Sequence, residues 1–212
     1  MYQPITPPPS PTRIRPGVFQ LRLPLQDNPS GYVNVYLLEC EGGWALVDTG
    51  WNDRQSLLSL AEQMAAVGAR LEEVRLILVT HIHPDHFGLA GRLKAISGAR
   101  LLLHEVEKAT VDSRDQWSGD VVAEMRRWLL VNGVPPEEMG HMEDLPSGTM
   151  DFGEWAMPDA GLSHGDRVAL DGLALEVIWT PGHSPGHMCL YEPQARLLFS
   201  GDHVLPLSLR HI

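Results

Sequence analysis

The chain has 212 residues, 43% of them hydrophobic, and a formal net charge of −11. That is enough apolar material for one sizeable core, while the acidic balance, with no basic stripe to offset it, disfavours nucleic acid as a partner. No apolar run approaches a membrane span and the Pro-rich beginning lacks the apolar region of a secretory signal, so a cytoplasmic protein without membrane contact is expected.

In chain order, residues 1–16 form a Pro-rich arm, in which Thr6 to Pro16 should be extended because closely spaced prolines remove backbone donors. Residues 17–212 then read as one domain. Strands are expected at Val18 to Leu23, Tyr32 to Glu39 and Trp44 to Val47, with Glu41-Gly42-Gly43 as a hairpin turn. Asp53 is placed to cap a helix running to about Val67, with Leu57, Leu58, Leu60, Ala61 and Met64 as its apolar face and Gly68 as its stop. A strand at Val74 to Val79 follows, then a helix from about Leu89 to Ile96 and a strand at Arg100 to His104. Cys40 and Cys189 sit in apolar strand-like runs, which favours buried reduced thiols over a disulfide and fits a reducing compartment.

Between the Val79 strand and the Leu89 helix stands Thr80-His81-Ile82-His83-Pro84-Asp85-His86. Three imidazoles and a carboxylate in six positions, directly after a buried strand, make a metal site, because neutral imidazole nitrogens and carboxylate oxygens suit zinc, iron or manganese. The absence of cysteine there argues against a closed thiolate site. His81 and His83, two apart, can share one side of an extended segment while Asp85 and His86 face a second point, so two adjacent cations are expected.

From Glu105 to Ser163 the pattern turns helical and irregular, with helices over Val121 to Val131 and Pro135 to His141. Residues 105–163 read as a helical insertion that caps the site, offering Trp117, Trp128, Trp155, Met139, Met142, Met150 or Met157 as an apolar wall for substrate. Strands return at Arg167 to Leu170, Leu173 to Trp179, Met188 to Tyr191 and Leu197 to Ser200, the first two joined by Asp171-Gly172, a type I′ hairpin signal. Helices alternating with strands give an α/β layered core.

The His81 to His86 motif resembles the signature of the metallo-beta-lactamase superfamily, and three further stretches agree in order: Val47-Asp48-Thr49-Gly50, Thr180-Pro181-Gly182-His183-Ser184-Pro185-Gly186-His187, and Phe199-Ser200-Gly201-Asp202. The resemblance implies an αββα sandwich of the metallo-beta-lactamase type. It implies that His81, His83 and His183 bind a first metal, that Asp85 and His86 bind a second, and that Asp202 bridges them. Asp48 would orient ligands without binding metal. His187 and His203 lie beside ligand positions but are not carried over as ligands. In the full family pattern a last His follows the bridging aspartate from a further strand end. His211, nine positions past Asp202, lies too near to replace it, so the chain reads as C-terminally shortened and its second metal site as incomplete.

The resemblance implies a hydrolase acting on a small-molecule substrate. A water shared by the two cations would lose its proton near neutral pH and attack, with Asp85 as the catalytic group that orients it or moves its proton. Asp85-His86 together with Asp202 looks like glyoxalase II, lactonase and phosphodiesterase relatives more than true beta-lactamases, so cleavage of a thioester, ester or lactone leads. A phosphodiesterase or nuclease of the same fold, an iron-dependent oxidoreductase such as a persulfide dioxygenase, and an inactive metal-binding protein are the alternatives. Self-association into a homo-oligomer is left open.

Overall fold

The computed structural model describes residues 10–25, 31–113, 127, 130, 131, 133–136 and 156–205. Eleven strands among them form two sheets. In the first, β1 (Thr12–Arg15), β2 (Val18–Pro24), β3 (Tyr32–Cys40) and β4 (Gly43–Val47) pair antiparallel in that order. The sheet continues with β5 (Val74–Leu78), β6 (Arg100–His104) and β7 (Ala160–Leu162), all parallel to β4. The second sheet is antiparallel in the order β11 (Leu197–Phe199), β10 (Met188–Glu192), β9 (Leu173–Trp179), β8 (Arg167–Leu170).

The strand alternation of two decides where each side chain goes. Leu46, Ile77, Leu101 and Leu103 point to one face of the large sheet, where they are fully buried beneath Leu60 and Met64 of α1 (Arg54–Ala66), Leu93 of α3 (Ala90–Ser97) and Val111 of α4 (Glu105–Asp112). Ala45, Val47, Leu78 and Leu102 point to the other face and meet Leu175, Val177, Met188, Leu190 and Phe199 of the second sheet. Tyr36 and Phe199 close this inter-sheet core edge to face, 4.9 Å between centroids. Each fully buried Leu in these layers contributes roughly 2 kcal/mol relative to exposure. The layers are helix, sheet, sheet; among the described residues no helix covers the outer face of the four-stranded sheet. No described helix is long and apolar enough to cross a membrane.

Several expectations need correction. The end of the Pro-rich arm is sheet edge, since Thr12 and Arg13 face Gln20 and Phe19 across β1 and β2. Ala160–Leu162, inside the stretch read as an insertion, is a sheet strand, and Met157 is exposed. Of the helices expected at 121–131 and 135–141 only residues 127, 130, 131, 135 and 136 are described, the first three of them helical, and Trp117, Trp128, Trp155, Met139, Met142, Met150 and His211 lie outside the described residues. The Asp171-Gly172 hairpin exists, with Leu170 opposite Leu173, but only Gly172 takes a positive φ (67°), so the turn is not type I′, which needs both central residues there.

Helix α1 starts where expected, with Asp53 accepting from the Ser56 amide at 2.6 Å, but its buried face differs. Leu58 is exposed, whereas Ser56 and Gln63 are buried. The reason is a strand edge: β1 pairs with β2 only as far as Gln20, leaving the Arg22 backbone open. The Gln63 amide completes it, accepting from Arg22 N at 3.1 Å and donating to Arg22 O at 3.0 Å. Ser56 Oγ donates to Pro24 O further along the same edge. Buried polar side chains on this helix therefore satisfy backbone groups that would otherwise be orphaned. Cys40 and Cys189 are both buried and form no disulfide, and burial raises both thiols, as expected of inert core cysteines.

Candidate metal centre

Every residue of the proposed site lies on a segment that leaves a strand end. β4 runs into Asp48, β5 into Thr80-His81, β9 into Thr180 and β11 into Gly201-Asp202. Two sheets packed face to face with their strand ends on one rim bring distant segments together there.

Asp48 takes a left-handed backbone conformation, φ 63°, uncommon for a residue with a Cβ and tolerated best by Asp and Asn. Its buried carboxylate accepts from the Thr80 amide at 2.8 Å and from Thr80 Oγ1 at 3.0 Å, and its Oδ2 is 2.8 Å from His86 Nδ1. Thr49 ties down the far side, its amide and hydroxyl both donating to His86 O at 2.8 Å. Asp48 thus fixes which His86 nitrogen is free: Nδ1 is engaged, leaving Nε2 to face the site. His86 reaches this point because Pro84–Phe87 form a single helical turn, α2, with Pro84 in its first turn.

Six residues were read from the sequence as ligands, and the structure brings five into two overlapping groups. The ligating atoms of His81, His83 and His183 lie within 4.8 Å of one another, as do those of His81, His86 and Asp202. Asp202 spans both: its Oδ1 is 3.1 Å from His86 Nε2 and its Oδ2 is 3.4 Å from His183 Nε2. Asp85, the sixth, stands outside both groups with Oδ2 3.6 Å from His86 Nε2. His203 is near the site, 6.1 Å ring to ring from His187, but belongs to neither group.

The electrostatics fit a cation. Burial, reinforced by the neighbouring imidazoles, pushes His81 far down; burial and then His183 lower His83. Both are neutral lone-pair donors. Burial raises Asp202, but His86 outweighs it and keeps the group ionised below the usual carboxylate range. Burial also favours neutral His86, yet the Asp48, Asp202 and Asp85 carboxylates overcome it and raise the imidazole to about 10; the same carboxylates would draw a cation into the place of the Nε2 proton. His86 Nε2 is fully buried and, although close to two carboxylates, makes no well-directed hydrogen bond to either. A buried donor atom facing acceptor oxygens across a gap is the arrangement a cation completes.

The comparisons with known proteins decide the family. The model of the metallo-beta-lactamase superfamily matches residues 29–211. The chain belongs to that superfamily. A solved superfamily structure, a metallo-beta-lactamase family protein from Thermus thermophilus, superposes with a TM-score of 0.73 at 33% identity over 92% of this chain and 62% of its own. Among curated relatives, "Probable metallo-hydrolase YqjP" of Bacillus subtilis is 27% identical over 84% of this chain and 54% of its own length. "Hydroxyacylglutathione hydrolase GloC" of Haemophilus influenzae is 25% identical over 72% of this chain and 63% of its own. The chain therefore spans somewhat more than half the length of these three proteins.

Two residues, Thr80 and Glu107, escaped the sequence reading, and His187 and Gly201 make contacts that it did not foresee. Thr80 is quoted in the motif, but its link to Asp48 depends on β4 and β5 being neighbours. His187 is fully buried, with Nδ1 2.8 Å from Thr180 Oγ1 and Nε2 unpartnered; burial lowers it to about 4. A Cβ on Gly201, φ 48°, would lie 2.7 Å from both His187 Nε2 and Thr80 Oγ1, so that glycine is required by close approach. Glu107 of α4 is also buried, with Oε1 accepting from Ser184 Oγ and, at 2.8 Å, from the Gly186 amide. No local signal marks it, because its partners lie more than seventy residues away.

Proposed function

We propose that the chain is a metal-dependent hydrolase that cleaves a thioester, ester or lactone bond in a small-molecule substrate. Two divalent cations, zinc foremost among those the donors suit, would be held by His81, His83 and His183 and by Asp85 and His86, and Asp202 would serve both. The observation that carries this reading is the Asp202 carboxylate, which turns one oxygen toward each group, 3.1 Å from His86 and 3.4 Å from His183. The superfamily membership and the relative named as a hydroxyacylglutathione hydrolase, a thioester-cleaving activity by its name, support the substrate class.

Bound cations supply Lewis acidity toward the attacked carbonyl oxygen and acidify water near neutral pH. The chain's own residues do the rest. Asp48 holds His86 through Nδ1 and presents Nε2, and His81 beside it is fully buried. Asp85, partly exposed beside His86, is the proton carrier: it takes a proton from the attacking water as the new C–O bond forms. It returns that proton to the sulfur or oxygen that leaves as the C–S or C–O bond breaks, so no serine or cysteine nucleophile is needed.

The test is elemental analysis of protein purified without added metal, followed by turnover of thioesters, lactones and phosphodiesters. Zinc at about two ions per chain with thioester or lactone turnover supports the reading. Iron with oxygen consumption, or turnover of phosphodiesters alone, refutes it. His83→Ala should lose most bound metal and activity while keeping its circular dichroism; an unchanged metal stoichiometry would remove His83 from the ligand set.

A further inference from the structure

The loop from Thr180 to His187 carries His183 and is closed at its neck by its own ends. Thr180 N donates to His187 O at 2.8 Å, the Thr180 hydroxyl meets His187 Nδ1, and Met188 N donates to Thr80 O at 2.9 Å. Those bonds fix where the loop leaves the sheet, not where its tip points. His183 at the tip is 38% exposed and meets the imidazoles of His83 and His81 edge-on, 4.5 and 4.8 Å between centroids, so its aim depends on how the loop is held. The next residue, Ser184, is 3% exposed, and it is there that another layer of the fold takes hold.

We propose that Glu107, in the first turn of α4, is a positioning residue for His183, clamping the loop so that the imidazole is already aimed at His81 and His83 before a cation binds. Three observations converge on it. Glu107 is a carboxylate only 1% exposed, whose Oε1 accepts from both Ser184 Oγ and Gly186 N. Hydrogen bonds to a buried carboxylate are the stronger kind, and removing their acceptor leaves two buried donors unpaired. The loop backbone lies directly on the helix: a Cβ at Gly186 would come 2.6 Å from Glu107 Cγ and 2.7 Å from Glu107 N, so only glycine allows this approach. An acid in a first turn is often explained by the helix dipole, which a solvent-facing carboxylate serves equally well; burial against the ligand loop calls for a different reason. Holding the loop in place lowers the ordering entropy that a cation would otherwise meet on binding.

The inference rests on His183 being a ligand, and the experiment separates the two. Zinc is titrated into the metal-free full-length protein, with thermal unfolding of the same samples in chelator as the structural control. His183→Ala should abolish the tighter zinc-binding event; if it does not, the ligand assignment fails, whatever Glu107 does. With that established, Glu107→Ala should weaken zinc binding by at least about 10-fold. Glu107→Gln, which keeps an oxygen acceptor for Ser184 and Gly186, should recover most of that loss. A folded Glu107→Ala protein that binds zinc as tightly as the parent overturns the proposal, as does a Gln variant no better than Ala. If the Ala variant does not fold, Ser184→Ala decides: a loss of about 3-fold supports the clamp, and unchanged affinity overturns it.

Discussion

The two halves of the site are built to different standards. The first, from β4 and β5, is buried and doubly tied: His81 and His86 are 0% and 3% exposed, and Asp48 fastens Thr80 and His86 at once. In the second, from β9 and β11, the donors are more open, His183 at 38% and Asp202 at 22%, although His187 and Ser184 of the same loop are buried. The first half is a fixed floor set in the helix-covered sheet; the second is the solvent-facing wall, held from outside by Glu107. The contrast predicts that His183 can be removed with little loss of stability, whereas Asp48 cannot.

The largest effect is expected from Asp48→Ala. It leaves His86 Nδ1, Thr80 N and Thr80 Oγ1 without their shared acceptor inside the core and should cost about 3–5 kcal/mol in denaturant unfolding. A loss below about 1 kcal/mol would show that the floor is not fixed by Asp48. Next comes Gly201→Ala, where the halves touch. A methyl pressed against His187 and Thr80 at a positive φ should destabilise by about 1–3 kcal/mol, with a shift in metal affinity because Asp202 follows directly. His183→Ala should change unfolding by no more than about 0.5 kcal/mol while removing metal, the reverse of the Asp48 pattern. If His183→Ala proves as destabilising as Asp48→Ala, the division between halves is wrong.

The smallest effect is distant from the site and serves as a baseline. Asp159 accepts from Lys94 Nζ and from Leu101 N, each at 2.7 Å, and the Lys94 bond holds its carboxyl below the usual range. A depressed carboxylate adds stability that is present above the pKa of the unfolded chain and is lost as pH falls through the folded value. Asp159→Asn should therefore narrow the stability difference between neutral and acid pH slightly, leaving metal affinity untouched. A changed metal affinity would mean that the baseline is coupled to the site.

Legibility varied with the range of the interaction. Strands β2 to β6 and β8 to β11, helix α1 and its Asp53 cap stand within a residue or two of expectation, because apolar period and capping chemistry are written in neighbours. β1 and β7 were missed: each is short, mostly polar or small, and becomes a strand only by pairing with an edge already there. Gln63 was missed on α1 because an amphipathic reading assigns polar side chains to solvent, while this one replaces an absent strand. In the site, the six proposed ligands and Asp48 were named from local motifs and resemblance, and five of the six meet in the two donor groups.

By itself, the sequence determined the donor chemistry, the strand ends that carry it and the layered core, since residue type, spacing and period act over a few positions. Tertiary structure alone decided that Asp202 faces both groups, that Asp48 selects the His86 nitrogen and that Glu107 grips the His183 loop. Each of those depends on distances between segments far apart in the chain, and such distances are fixed by how two sheets and a helix layer pack, not by any local pattern.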